Sequence, residues 1–96
     1  MAAVISHVLF TPGVIVSTPG ALEAFEEAKE RPMTLLLKHI ALEIGDLCSE
    51  DLTANIRALK FGGRILSAYR LSTGCRIWII TEASRDVTTF LLPEEY

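Results

Sequence analysis

A chain of 96 residues, half of them hydrophobic and 22% charged, has room for one core and for no second one. Nine Lys and Arg against twelve Asp and Glu leave a net charge of −3, which argues against binding nucleic acid, because proteins that neutralise phosphates concentrate their cations. A mean hydropathy of +0.37 excludes a disordered chain, and no apolar run approaches the ~20 residues that cross a bilayer, so no membrane contact is expected.

The expectation is a single domain over 1–96. Met1 to Phe10 carries no cationic start or cleavage site, so the expected location is the cytoplasm, with Cys48 and Cys75 kept as thiols.

In chain order, Val4 to Phe10 and Val14 to Val16 are β-branched and apolar around the turn residues Thr11-Pro12-Gly13, and predict two short extended pieces. Thr18 before Pro19 predicts an N-cap with proline in the first turn of a helix. Leu22, Phe25 and Ala28 would form its apolar side against Glu23, Glu26, Glu27 and Glu30, and Arg31-Pro32 would end it. A second helix over Met33 to Leu42 is apolar around most of its circumference, which asks for contacts on more than one side. Gly45 breaks the pattern. Ser49-Glu50-Asp51 then opens a third helix, from about Glu50 to Phe61, with Leu52, Ile56 and Leu59 as its stripe and Gly62-Gly63 as its close.

From Arg64 the period drops to two. Three strands in succession are predicted: Ile65 to Leu71, then Arg76 to Glu82, then Val87 to Leu92, with reversals at Ser72-Thr73-Gly74 and Ala83 to Asp86. The expected class is therefore α+β: short N-terminal extended segments, three helices, and a C-terminal three-stranded antiparallel meander packed on the helices. In the middle strand Ile77 and Ile79 point one way while Trp78 and Ile80 point the other, so both faces need a cover. With helices on one face, the other calls for the N-terminal segments or a second copy. Leu36, Ile40, Trp78 and Ile80 are the expected contacts of a homo-oligomer.

Polar candidates are few. His39 and Glu43 stand four apart on the second helix with Asp46 beyond, the spacing at which an imidazole and a carboxylate could share a metal or a proton, or simply a hydrogen bond. Asp51 and Asn55 flank the apolar stripe of the third helix and could reach Arg64, Ser67, Tyr69 and Arg70 on the meander. That set would either tie helix to sheet or line a small cleft holding an anion. No Gly-x-Ser-x-Gly, Cys-x-x-Cys, His-Glu-x-x-His or phosphate-binding loop occurs, so no catalytic residue, metal or cofactor is assigned. Expected partners are the chain itself, as a homodimer or higher, or another protein.

Thr18-Pro19-Gly20-Ala21-Leu22, His39, Gly45-Asp46-Leu47, Glu50-Asp51, Asn55, Arg64 to Tyr69, Trp78 to Ala83, Thr88-Thr89 and Leu91 to Tyr96 together resemble a family of short proteobacterial proteins carried by plasmids and other mobile elements. Its members are described as plasmid-related or as a methylation subunit of type I restriction enzymes. Where the family has Gly-Asp-Trp before Gly-Asp-Leu, this chain has Leu42-Glu43-Ile44. The resemblance implies a small accessory protein of mobile DNA, here too short for a cofactor-binding methyltransferase fold. A toxin-like or small-molecule enzyme activity in the cleft between the third helix and the meander is the alternative.

Overall fold

The computed structural model describes residues 8–43, 45 and 49–96. Strand β1 (Val14–Ser17) leads into helix α1 (Pro19–Ala28), followed by α2 (Pro32–Ile40) and α3 (Ser49–Phe61). Strands β2 (Ile65–Arg70), β3 (Arg76–Thr81) and β4 (Val87–Leu91) come next, and a 3-10 turn, Pro93–Glu95, closes the chain.

The antiparallel run β2–β3–β4 forms as expected, but the sheet has four strands in the order β1-β4-β3-β2. Val14 to Ser17 joins it parallel to β4, in register with Val87 to Phe90, so the sheet is mixed and not a three-stranded meander. The reason is long-range. Val14 and Thr18 donate their backbone N–H groups to the carbonyls of Asp86 and Phe90 at 2.9 and 3.0 Å, partners more than seventy residues away that no local pattern reveals. Of the other extended piece, residues 4–7 lie outside the described residues, and Val8 to Phe10 form no strand.

The helix boundaries follow local chemistry. The Thr18 hydroxyl oxygen accepts the Ala21 N–H at 3.1 Å, capping α1 ahead of Pro19. Lys29 ends that helix in the left-handed region, at φ 57°. Pro32 starts α2, whose last turn carries Lys38 and His39, and Leu9 N–H donates to the Ile40 carbonyl at its end.

All three helices cover one face of the sheet. Alternation along β2, β3 and β4 sends Ile65, Ser67, Tyr69, Ile77, Ile79, Thr81, Thr88 and Phe90 to that face, each at most 6% exposed. Phe25 of α1 meets Phe90 edge to face at 5.7 Å, and Leu35, Leu36 and Ile40 of α2 complete the core. Burying each such large apolar side chain contributes roughly 1.5 to 3 kcal/mol.

The opposite face is covered in part, around Trp78, by the chain's last turn. Tyr96 lies edge-on to Trp78 at 5.6 Å, and Thr18 donates its hydroxyl to Glu95, which also accepts the Leu92 N–H at 2.8 Å, tying the last turn to the start of α1. These bonds, that to Thr18 first, hold the Glu95 carboxyl below its ordinary value. Trp78 is thereby half-buried, and Ile80 is 7% exposed. The residues expected to form an oligomer contact are thus largely covered within one chain, because Leu36 and Ile40 also face inward. Exposed apolar surface lies elsewhere, at Val14 (66%), Ile15 (42%), Val16 (42%) and Phe61 (80%) among others. Among the described residues no helix is long and apolar enough to cross a membrane.

Candidate functional site

The polar centre of the molecule is built on His39, which α2 presents to the sheet and which is fully buried. Its Nδ1 lies 2.6 Å from Ser67 Oγ on β2 and its Nε2 lies 2.8 Å from Thr81 Oγ1 on β3. Thr81 Oγ1 lies 2.6 Å from Thr88 Oγ1 on β4, and Thr88 donates to the Pro12 carbonyl at 2.7 Å. One line of hydrogen bonds therefore crosses three strands and joins them to α2 and to the segment before β1.

The end of that line fixes every proton in it. A carbonyl only accepts, so the single hydroxyl proton of Thr88 is committed to Pro12. Thr81 must then donate to Thr88, which leaves Thr81 Oγ1 to accept from His39 Nε2–H. In the neutral ring Nδ1 is then a lone pair, and Ser67 donates to it. No buried side-chain nitrogen or oxygen among the described residues is left without a partner. Burial pushes the imidazole down to about 4, well below its ordinary 6.5, so the ring is neutral at physiological pH. Phe10 stands edge to face with the imidazole at 5.4 Å, and the Arg85 guanidinium carbon lies 5.7 Å from the centre of the Phe10 ring.

Ser67 donating to a histidine has the atoms of a nucleophile and its base, but both side chains have no exposed surface and no substrate reaches them. The arrangement is a buried latch between helix and sheet. Both ring nitrogens are taken by hydroxyls, so neither the metal or proton sharing nor the simple hydrogen bond considered between His39 and Glu43 forms. Among the described residues no group of three His, Cys, Asp or Glu gathers as a metal site.

The remaining candidates do not converge on one cleft. Asn55 is 4% exposed and donates Nδ2–H to the Leu66 carbonyl at 2.7 Å while its Oδ1 accepts the Leu66 N–H at 3.1 Å. It is a helix-to-strand tie. Tyr69 donates to the Glu43 carbonyl, and burial pushes its phenol up to about 12. Arg64 is exposed and bonds not Asn55 but Glu82 and Tyr96, giving Nε–H to Glu82 at 3.1 Å and Nη1–H to the Tyr96 hydroxyl at 2.7 Å. Those contacts, that with Glu82 first, hold its guanidinium pKa above the ordinary value. Arg70 is exposed, in register with Arg76 at the far end of the hairpin. Asp51 is half-buried at the start of α3, and Asp46, like Cys48, lies outside the described residues. Cys75 is a free thiol.

Thr81 and Thr88 were legible in principle. Each sits on the inward face of a strand whose other inward residues are Ile77, Ile79 and Phe90, and a hydroxyl at such a position demands a partner.

No protein-family model, curated protein or solved structure matches this chain.

Proposed function

We propose that this protein is a non-catalytic, self-associating binding module, of the accessory kind that its resemblance to mobile-element proteins implies. The observation that supports this reading is the outer edge of β1. Val14, Ile15 and Val16 are all exposed, and the strand ends the sheet. Val14 and Thr18 direct their N–H groups to β4, so the two-residue period turns the N–H and C=O of Ile15 and Ser17 outward.

A second copy related by a two-fold axis fits that edge. Antiparallel pairing of β1 with its counterpart sets Ile15 opposite the partner's Ser17 and the reverse, with the two copies of Val16 at the axis. Every outward backbone group then gains a partner, and the exposed valines meet one another. The sheet would run continuously across both chains.

The test is the molar mass by light scattering at micromolar concentration for the natural chain and for Ile15→Pro. Proline at that position removes an outward donor without touching the ladder to β4. The natural chain should be a dimer and the variant a monomer with an unchanged circular dichroism spectrum. A natural chain of monomer mass overturns the reading, as does a dimer that survives Ile15→Pro.

A further inference from the structure

A recess of about 380 Å³ opens at the C-terminal end of α3, lined by Ala54, Arg57, Phe61, Gly62, Gly63 and Arg64 among others. That volume falls within the ~300 to 1,000 Å³ of small-molecule sites. It is remote in sequence from β1 and from the buried His39, and its residue types do not suit a merely solvated surface.

Charge is the first reason. The C-terminus of a helix is its negative end, yet here it is surrounded by cations. Arg85 donates Nη2–H to the Ala58 carbonyl at 3.0 Å and Nη1–H to the Gly63 carbonyl at 2.6 Å, offsetting that negative end directly. Arg64 is held in place by Glu82 and Tyr96 through Nε and Nη1, which leaves its second terminal nitrogen uncommitted. Arg57 makes no hydrogen bond or ion pair with any described residue. In an acidic chain, Arg57, without a counter-ion among the described residues, is a local positive charge, and Arg64 beside it, ion-paired with Glu82, adds a donor fixed in orientation and no net charge.

Shape is the second reason. Phe61 is one turn on from Arg57, on the same side of α3, and its side chain is 80% exposed at the rim. Gly62 and Gly63 follow at φ +93° and +139°, backbone that only glycine adopts readily, and a side chain at Gly62 would meet no atom within 4 Å. The floor beside the aromatic ring is therefore open backbone. A flat ring can lie against Phe61 there while an anionic group attached to it reaches Arg57 and Arg64.

We propose that this recess binds a phosphate monoester carried on a flat ring, of the size of a nucleoside monophosphate. The phosphate is held by Arg57 and the free end of Arg64, and the ring stacks on Phe61.

Titration of the isotopically labelled protein with adenosine monophosphate, adenosine and inorganic phosphate, followed by amide chemical shifts, tests this. Adenosine monophosphate should produce saturable shifts centred on Arg57, Phe61, Gly62 and Gly63, and should bind at least about tenfold more tightly than adenosine or phosphate alone. Arg57→Gln and Phe61→Ala each replace an exposed side chain, so the fold is kept, and each should weaken binding by about tenfold. The proposal is overturned by an absence of saturable shifts, by phosphate alone binding as tightly as the monoester, or by either variant binding as the natural chain does.

Discussion

The buried imidazole gives the sharpest quantitative consequence. In the folded chain His39 releases its proton at about pH 4; in the unfolded chain it does so near its ordinary 6.5. Between these values the unfolded state binds the extra proton, so stability rises with pH across that window and is fully present above it. A separation of about 2.5 units corresponds to roughly 3 kcal/mol, lost progressively as the pH falls from about 6.5 to 4. That is a large part of what a domain of this size commands. Nothing acidic hydrogen-bonds the ring to offset the loss, since its contacts are Ser67, Thr81 and the edge of Phe10. Urea unfolding of the natural chain and of His39→Gln, measured between pH 7.5 and 4 by circular dichroism, isolates the effect, because the carboxylates common to both cancel in the difference. The natural chain should lose stability more steeply than the variant, with the two curves converging as the pH falls. Parallel curves would refute a buried neutral imidazole.

Three further outcomes follow from the same geometry. Asn55→Ala removes both hydrogen bonds to Leu66 and leaves the strand's N–H and C=O unpaired beside α3, and should cost about 2 to 3 kcal/mol in urea unfolding with the m-value retained. Gly13→Ala sets a Cβ 2.3 Å from the Asp86 carbonyl oxygen at φ +71°, so it should displace β1 from β4 and lower both the melting temperature and the dimer population. Arg85→Ala removes the guanidinium bonds to the Ala58 and Gly63 carbonyls, leaving Ala58 only the Gly62 N–H as donor, and should speed amide exchange in the last turn of α3 well before any global unfolding.

These predictions differ in how far they could be reached from the sequence. The cap at Thr18, the start of α1 at Pro19, the span of α3 and the β2 to β4 hairpins depend on contacts within a few residues, and spacing alone reports those. Asn55 itself, with Ala58, is what α3 buries, while Ile56 of the expected stripe is 41% exposed, and whether Asn55 lined a cleft or closed one depended on how near β2 comes to α3. His39 was marked for the neighbour four residues on, whereas its partners lie 28 and 42 residues away.

What the sequence by itself determined is the set of local structures: three helices and three consecutive antiparallel strands. These follow from backbone chemistry and periodicity, which act over a turn or a hairpin. Only the tertiary structure decided that Val14 to Ser17 is a parallel edge strand, that the last turn shields Trp78, and that one histidine holds three strands through hydroxyls. Such contacts are chosen by which surfaces bury most apolar area while leaving no buried polar atom unpaired, a condition on the whole chain at once and on no stretch of it separately.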